Sequence, residues 1–379
     1  MILVVEPNNA EIIFWVFEEE GGILHRQRVA KDYDDIRNSK DLQDTIRFLK
    51  GKKKIEAISF FINFGGNEFN SPVLINNKFF PKFARLMSFK PLYISTCHSV
   101  LHNFWEKFKD TPMKVFFDTA FFNALPESEK YYALPYKYYP RNNLRRWGFH
   151  GILHEMNAFL MPEEAKVISV VLDKESTISA IKDRRPVAIS LGYTPLEGVM
   201  SRTSCGDLDA GIVFYLMKHC GLSIFKIDQI LKKESGFLGL TGYDLNMEQL
   251  LKYHGRDPRV DLAFSVYENQ ILKYIGEGIS LLGGVDYIVF SGSTAKLLIP
   301  VIHHILRQIS FLGVQLKGSP WGGKGKIEEV TLPGSPIKAY LNRHIAPETI
   351  FYLTAFNPKT LKLKTAENKG KIEHSLEKA

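Results

Sequence analysis

The chain has 379 residues, of which 45% are hydrophobic, 12% aromatic and 24% charged, with a formal net charge of +8. That is a globular profile long enough for two or three domains, and it excludes a fibrous or disordered chain. The positive charge is local, in Lys52-Lys53-Lys54 and in a tail carrying Lys359, Lys362, Lys364, Lys369 and Lys371; it reads as a solvated loop and terminus, not as the one-faced footprint that nucleic acid requires.

In chain order, Ile2–Val5 and Ile12–Phe17 are apolar runs around the turn-forming Glu6-Pro7-Asn8-Asn9-Ala10, which predicts a hairpin. Ala57–Asn63 reads as a strand followed by the turn Gly65-Gly66, and Val115–Phe117 as a strand ending at Asp118. Pro135–Arg146 is a polar, tyrosine-rich loop. A second hairpin follows, Val167–Leu172 and Thr177–Ile181 around Asp173-Lys174-Glu175-Ser176. Two such openings half a chain apart predict a duplicated architecture. Asp207–Leu231 carries a helical pattern broken at Gly221, and Asp207 is expected to cap its start. Asp261–Leu282 is the clearest helix, with Leu262, Val266, Ile271, Tyr274 and Ile275 at helical spacing and Gly283-Gly284 as its stop. Tyr287–Phe290 is a buried strand that runs into Ser291-Gly292-Ser293. Helices feeding strands that end in small-residue turns are an α/β pattern, and ligands in such folds lie beyond the carboxyl ends of strands. Asp118 and Ser291–Ser293 are therefore the places to look for chemistry.

Other features narrow the setting. Cys97, Cys205 and Cys220 form no C-x-x-C pair, and three cannot all pair within the chain, which fits a reducing compartment. Met1–Val5 has no basic segment before it, and no apolar run reaches the ~18 residues needed to span a bilayer. We expect a cytoplasmic protein with no membrane and no nucleic-acid partner. His98 with His102, and His150 with His154, have helical spacing but lack the further ligands of a closed metal site.

Several segments together resemble the acetate kinases. Phe117-Asp118-Thr119-Ala120-Phe121 is similar to the family's F-D-T-A-F block, and Tyr132-Ala133-Leu134-Pro135-Tyr136 continues it. Arg145-Arg146-Trp147-Gly148-Phe149-His150-Gly151, with His154, resembles R-R-Y-G-F-H-G-x-S-H. Gly192-Tyr193-Thr194-Pro195-Leu196-Glu197-Gly198 resembles G-F-T-P-L-E-G, and Gly206-Asp207-Leu208-Asp209 the end of the next block. Ser235-Gly236, Lys273–Gly276 and Gly283–Asp286 match later segments in order. The resemblance implies an α/β, two-domain duplicated ribonuclease-H-like fold of the sugar kinase/actin/Hsp70 superfamily. The domains would be an N-terminal one at 1–148, a C-terminal one at 149–358 and a basic tail at 359–379. It also implies ATP and Mg²⁺ as cofactors, acetate or another small carboxylate, or its acyl phosphate, as ligand, and a homodimer.

Transfer of a phosphoryl group depends on positioning and on neutralising charge. The resemblance assigns Asp118 and His150 to the transfer site, Leu92, Phe149 and Pro195 to the pocket for the acyl group, and Ser291, Gly292 and Ser293 to the nucleotide. No metal ligand survives. The first phosphate turn falls on Glu6–Glu11 and the second on Val171–Ser176, both without the family's glycines. The two arginines fall on Phe61 and Ser204, the magnesium-associated glutamate on Lys296, and the adenosine-contacting D-x-R on Asn246-Met247-Glu248. Asn63 replaces a pocket valine and Tyr93 a histidine. Losing one preorganised transition-state donor costs ~10²–10³ in rate, so these replacements imply weak or lost transfer. Three readings remain open. One is a non-catalytic binding homologue. Another is an acyl kinase rebuilt around Arg202, Arg184 or Arg185 with Lys174 or Lys296. The third is a sensor of small carboxylates or acyl phosphates.

Overall fold

The computed structural model describes residues 1–8, 11–18, 21–30, 40–51, 55–88, 94–139, 143–318, 321, 323 and 325–355. Leu92, Tyr93, the Lys52–Lys54 cluster and the tail from 359 lie outside them. The chain forms two compact units, Met1–Asn123 joined by the segment from Ile345, and Ala124–His344.

In the first unit, β1 (Ile2–Pro7), β2 (Glu11–Phe17) and β3 (Ile23–Ala30) form an antiparallel meander. β4 (Ala57–Ile62) then adds parallel to β1, and β6 (Met113–Phe117) parallel to β4. The two-residue β5 (Val73–Leu74) closes that edge antiparallel to β6. Every residue of β4 and β6 is buried, which is why both are largely apolar and do not alternate, with Ser59 and Lys114 as their polar members. Aromatic rings fill much of the core: Phe69 stacks on Phe117 at 4.4 Å, and Phe17 on Phe351 at 5.0 Å. Phe351 belongs to the helix Ala346–Ala355, which also meets β4 through a buried Ser59 Oγ–Thr354 Oγ1 hydrogen bond of 2.8 Å.

The second unit repeats the plan. β7 (Lys166–Val171), β8 (Thr177–Lys182) and β9 (Arg185–Ile189) form the meander. β10 (Tyr287–Ser291) lies parallel to β7, and β12 (Lys338–Asn342) parallel to β10, with β11 (Ile327–Glu329) antiparallel on its edge. The orders β3-β2-β1-β4-β6-β5 and β9-β8-β7-β10-β12-β11 are the same strand for strand. The duplication expected from two hairpins thus extends through both sheets, and the fold is a duplicated two-domain α/β fold.

The helix Pro258–Leu282 covers β8. It starts at Asp257, whose carboxylate accepts from Arg259 N, with Pro258 in the first turn, and it stops at Gly283 with φ of 63°. Its buried stripe is Val260, Phe264, Tyr267, Ile271 and Ile275. Leu262 is 53% exposed, so the stripe is rotated from the one expected, towards the aromatic positions. Gly278 lets the helix approach closely, since a Cβ there would meet Ile168 Cδ1 at 2.7 Å. The helical pattern over 207–231 falls on Ala210–His219 and Ile224–Gln229, with the expected break at Gly221 between them, and a π-helical turn, Ile230–Glu234, follows. Asp209 caps the first of these by accepting from Gly211 N, whereas Asp207, the expected cap, instead accepts from Gly198 N and Tyr274 Oη.

Phe264 is fully buried and packs edge-on against Phe237 at 5.0 Å. Phe264→Ala is expected to lower stability by ~3–5 kcal/mol, read as a lower urea midpoint with an unchanged slope.

Candidate functional site

Asp118 follows β6 in the first unit and is 4% exposed. Its N–H donates to Ile62 O at 2.9 Å, which continues the parallel pairing past the strand end. Beside it, Thr119 Oγ1 accepts from Gly65 N at 3.0 Å, and Asn123 Nδ2 donates to the carbonyls of Gly66 and Phe69. The F-D-T-A-F block thus fastens the Gly65-Gly66 turn to the end of β6. Phe61 is buried in β4 and offers no charge.

Phe149, His150, Pro195 and Ser291–Ser293 lie in the second unit. Trp147 N donates to Gly192 O at 3.1 Å, which aligns the segment carrying the half-buried Phe149 with the one carrying the exposed Pro195. Arg146 bridges these segments further. It pairs with Glu129 at 2.6 Å and with Glu197, and Glu197 also accepts from Tyr132 Oη. Burial raises the Glu129 pKa, and Arg146 offsets part of that rise.

His150 precedes the helix Gly151–Phe159 with left-handed φ of 59°. Its Nδ1 lies 3.0 Å from Thr177 Oγ1 at the start of β8. The same hydroxyl lies 2.9 Å from His154 Nε2, and His154 Nδ1 lies 2.7 Å from Ser169 Oγ on β7. Asn157 Nδ2 donates to Ser169 Oγ and to Ser291 Oγ, each at 2.8 Å, and Asn157 Oδ1 accepts from Asn342 Nδ2 at 2.8 Å. The structure therefore joins two expected site residues, His150 and Ser291, through a buried chain of side chains. The sequence reading missed Thr177, Ser169, Asn157 and Asn342. The available signal was a lone polar residue inside an apolar run, as Ser169 is within Lys166–Val171.

The turn after β10 is closed by side chains. Gly292 has φ of 100°, and a Cβ there would collide with the Leu172 main chain. Leu172 N donates to Ser291 O at 2.7 Å, and Thr294 N donates to Leu172 O at 3.1 Å. The Asp173 carboxylate accepts from Ser293 Oγ at 2.7 Å and from Ser293 N at 3.4 Å. Ser176, at the far side of the same hairpin turn, is buried against Tyr267 Oη at 2.7 Å. In the first unit, the described part of the corresponding turn closes on Asn8, whose Oδ1 accepts from Glu11 N at 3.0 Å.

The residues that stand where charge was expected are used elsewhere or point to other work. Ser204 is buried and donates to Ser201 Oγ at 2.7 Å. Arg202 pairs with Asp244, and Arg184 stacks over Phe159 at 5.0 Å and pairs with Glu163 at 3.7 Å. Lys174 and Lys296 are exposed. Asn246 caps the helix Met247–Tyr253 through a reciprocal pair with Gln249.

A model of the acetokinase family matches residues 8–340. An acetate kinase of Shouchella clausii (strain KSM-K16) is 32% identical over 295 residues, 76% of this chain and 74% of its own. One from Clostridium novyi (strain NT) is 29% identical over 339 residues, 84% of each chain. Among solved structures, the acetate kinase of Porphyromonas gingivalis superposes with a TM-score of 0.84 at 23% identity, covering 92% of this chain and 97% of that one. A propionate kinase of Francisella tularensis subsp. tularensis SCHU S4 gives 0.80 at 22%, with the same coverage. These two likenesses are of fold.

His154 is fully buried, and burial holds its pKa well below the ordinary histidine value, with His150 adding to the shift. The unfolded chain takes up a proton as pH falls through about 6.5, while the folded chain takes it up only at lower pH. Stability is therefore complete above that value and falls below it, by about 1.4 kcal/mol per pH unit from this group. Urea melts of the parent and of His154→Gln, run from neutral pH downward, are expected to differ by that slope.

Proposed function

The chain belongs to the acetokinase family, and from that premise we propose that it is a member in which phosphoryl transfer between ATP and acetate is weak or lost. It serves instead as a cytoplasmic binder of a small carboxylate or acyl phosphate. The observation that carries this reading is the Asp173 carboxylate seated on Ser293 N and Oγ. The donors of that strand-end turn hold an internal anion, and Asp173 adds repulsion toward a phosphate. The residues present do not fit Mg-ATP. Lys296 brings a positive charge where the resemblance calls for the magnesium-associated carboxylate, and Phe61 and Ser204 supply no cation in place of the two arginines. Neither Arg202 nor Arg184 is spare, because each already pairs with a carboxylate.

A polar and apolar set suited to a small acyl anion remains in the second unit: His150, Phe149 and Pro195 keep the identities that the resemblance assigns to the transfer site and acyl pocket. In this reading His150 and the pocket recognise the ligand without turning it over. Calorimetric titration tests it: acetyl phosphate is expected to give heat at millimolar concentration and Mg-ATP none. A coupled assay with acetate and Mg-ATP should run at least ~10²-fold below an intact family enzyme. Saturable heat from Mg-ATP would overturn the reading.

We further propose that the protein works as a homodimer through its second unit. The helix Ala210–His219 buries none of its residues, although Ile212, Phe214, Tyr215 and Met217 lie on it. Phe225, in the next helix, is 85% exposed. Adjacent exposed apolar side chains on this scale mark an association surface. Light scattering is expected to give twice the chain mass, and Phe214→Asp combined with Phe225→Asp a single chain mass.

A further inference from the structure

The hydrogen bonds that end at His150 have a direction, and a main-chain group fixes it. His344 N is a donor in any protonation state, and it lies 3.0 Å from the side chain of Asn342. The atom of Asn342 that faces it is therefore the oxygen, and the amide nitrogen faces Asn157 at 2.8 Å. Asn157 must then present Oδ1 to Asn342 and both N–H groups to Ser169 and Ser291. Among the described residues, Ser169 Oγ meets only Asn157 Nδ2 and His154 Nδ1. The amide can only donate, so the Ser169 proton goes to His154 Nδ1. Burial keeps His154 neutral, and its single ring proton is then on Nε2, which faces Thr177. Thr177 Oγ1 accepts that proton and passes its own to His150 Nδ1, the other group it meets.

We infer that Asn342, Asn157, Ser169, His154 and Thr177 are positioning residues that hold neutral His150 in one tautomer, with Nδ1 as acceptor and Nε2 as the N–H donor. An unrestrained imidazole exchanges between its two tautomers. Here the choice is made by a relay that starts at the far side of the sheet, on β12, and crosses β7 and β8 through the helix Gly151–Phe159. A fixed N–H donor suits an anionic ligand such as a carboxylate or an acyl phosphate. That use of the donor rests on the function proposed above, whereas the tautomer itself does not.

The test is a long-range ¹H–¹⁵N correlation spectrum of the histidine-labelled chain without ligand, taken above the ordinary histidine pKa. His150 and His154 are each expected to show a protonated Nε2 and an unprotonated Nδ1. In Thr177→Val, which keeps the side chain's shape, the His150 signals should move towards the average of the two tautomers, while His154 keeps its pattern. Thr177→Ser should restore the parent spectrum for His150. A purely structural threonine would lower the melting temperature of the valine variant and leave the His150 pattern unchanged, which would overturn the inference. A parent spectrum with Nδ1 of His150 protonated would also overturn it, and that measurement needs no variant to fold. Because the spectrum is recorded without ligand, failure of acetyl phosphate to bind would defeat the proposed function and leave the tautomer standing.

Discussion

Three hydrogen bonds of one side chain tie the layers of the second unit together. Asn157, on the helix Gly151–Phe159, reaches β7 through Ser169, β10 through Ser291 and β12 through Asn342. Those three strands are the parallel core of the sheet. All four side chains are buried to 1% exposure or less. A buried polar group that loses its partner costs ~1–3 kcal/mol, so this amide defines the helix position more sharply than apolar contact alone would. A slide of the helix by one turn would leave Asn157 and several hydroxyls unsatisfied together, whereas neighbouring leucines and valines could repack.

The same physics explains why polar groups can occupy this core. In the inferred relay Ser169 and Thr177 each act once as donor and once as acceptor, and each amide is used on both ends. The two ends of this region receive different treatment. Towards β8 the network ends at the half-buried His150, which remains a polar group at the margin of the core. At the turn after β10 the local donors are consumed by Asp173, and the hydroxyl of Ser176 by Tyr267. This region therefore carries a half-buried imidazole in one place and a turn filled from within in the other.

Much of the fold was legible because it rests on local rules. The two hairpins were marked by apolar runs around turn residues, and β4, β6 and β10 by short, largely apolar stretches. The long helix was marked by its spacing and by Gly283-Gly284. Its exact face was not, because Leu262 and Val266 satisfy the same period as Phe264 and Tyr267, and only packing against β8 selects between them. The break at Gly221 was legible, but the π-helical turn Ile230–Glu234 leaves no pattern in composition. Asp118, His150 and Ser291 were singled out in the sequence by the motifs and turns that carry them. Their partners were not, because Ser169, Asn157 and Asn342 are separated from one another by up to 185 positions in the chain, and nothing local to any of them announces the others. The role of Asp207 was also misread. An acidic residue before a helix is a natural cap, but Asp209 is two residues closer and takes it, leaving Asp207 to Tyr274.

Fold and catalysis respond differently to the same substitutions. Phe61 in β4 adds apolar area to a fully buried strand, so replacing an arginine there is compatible with, and even favours, packing. Ser204 finds Ser201 within 2.7 Å, and Asn246 becomes a helix cap. Each of these side chains thus has a structural use of its own, which is how a chain without charge at these positions keeps its architecture. Phosphoryl transfer has no such tolerance, because it depends on charges held at fixed points around a dispersed negative charge. A residue that merely folds well at one of those points contributes nothing to the transition state. Asp173 goes further: its charge has the sign of the group that a phosphate-binding turn would have to attract, and its two contacts to Ser293 stabilise the closed turn. In the function proposed above, the stability of this turn and its loss of phosphate binding are consequences of the same side-chain contacts.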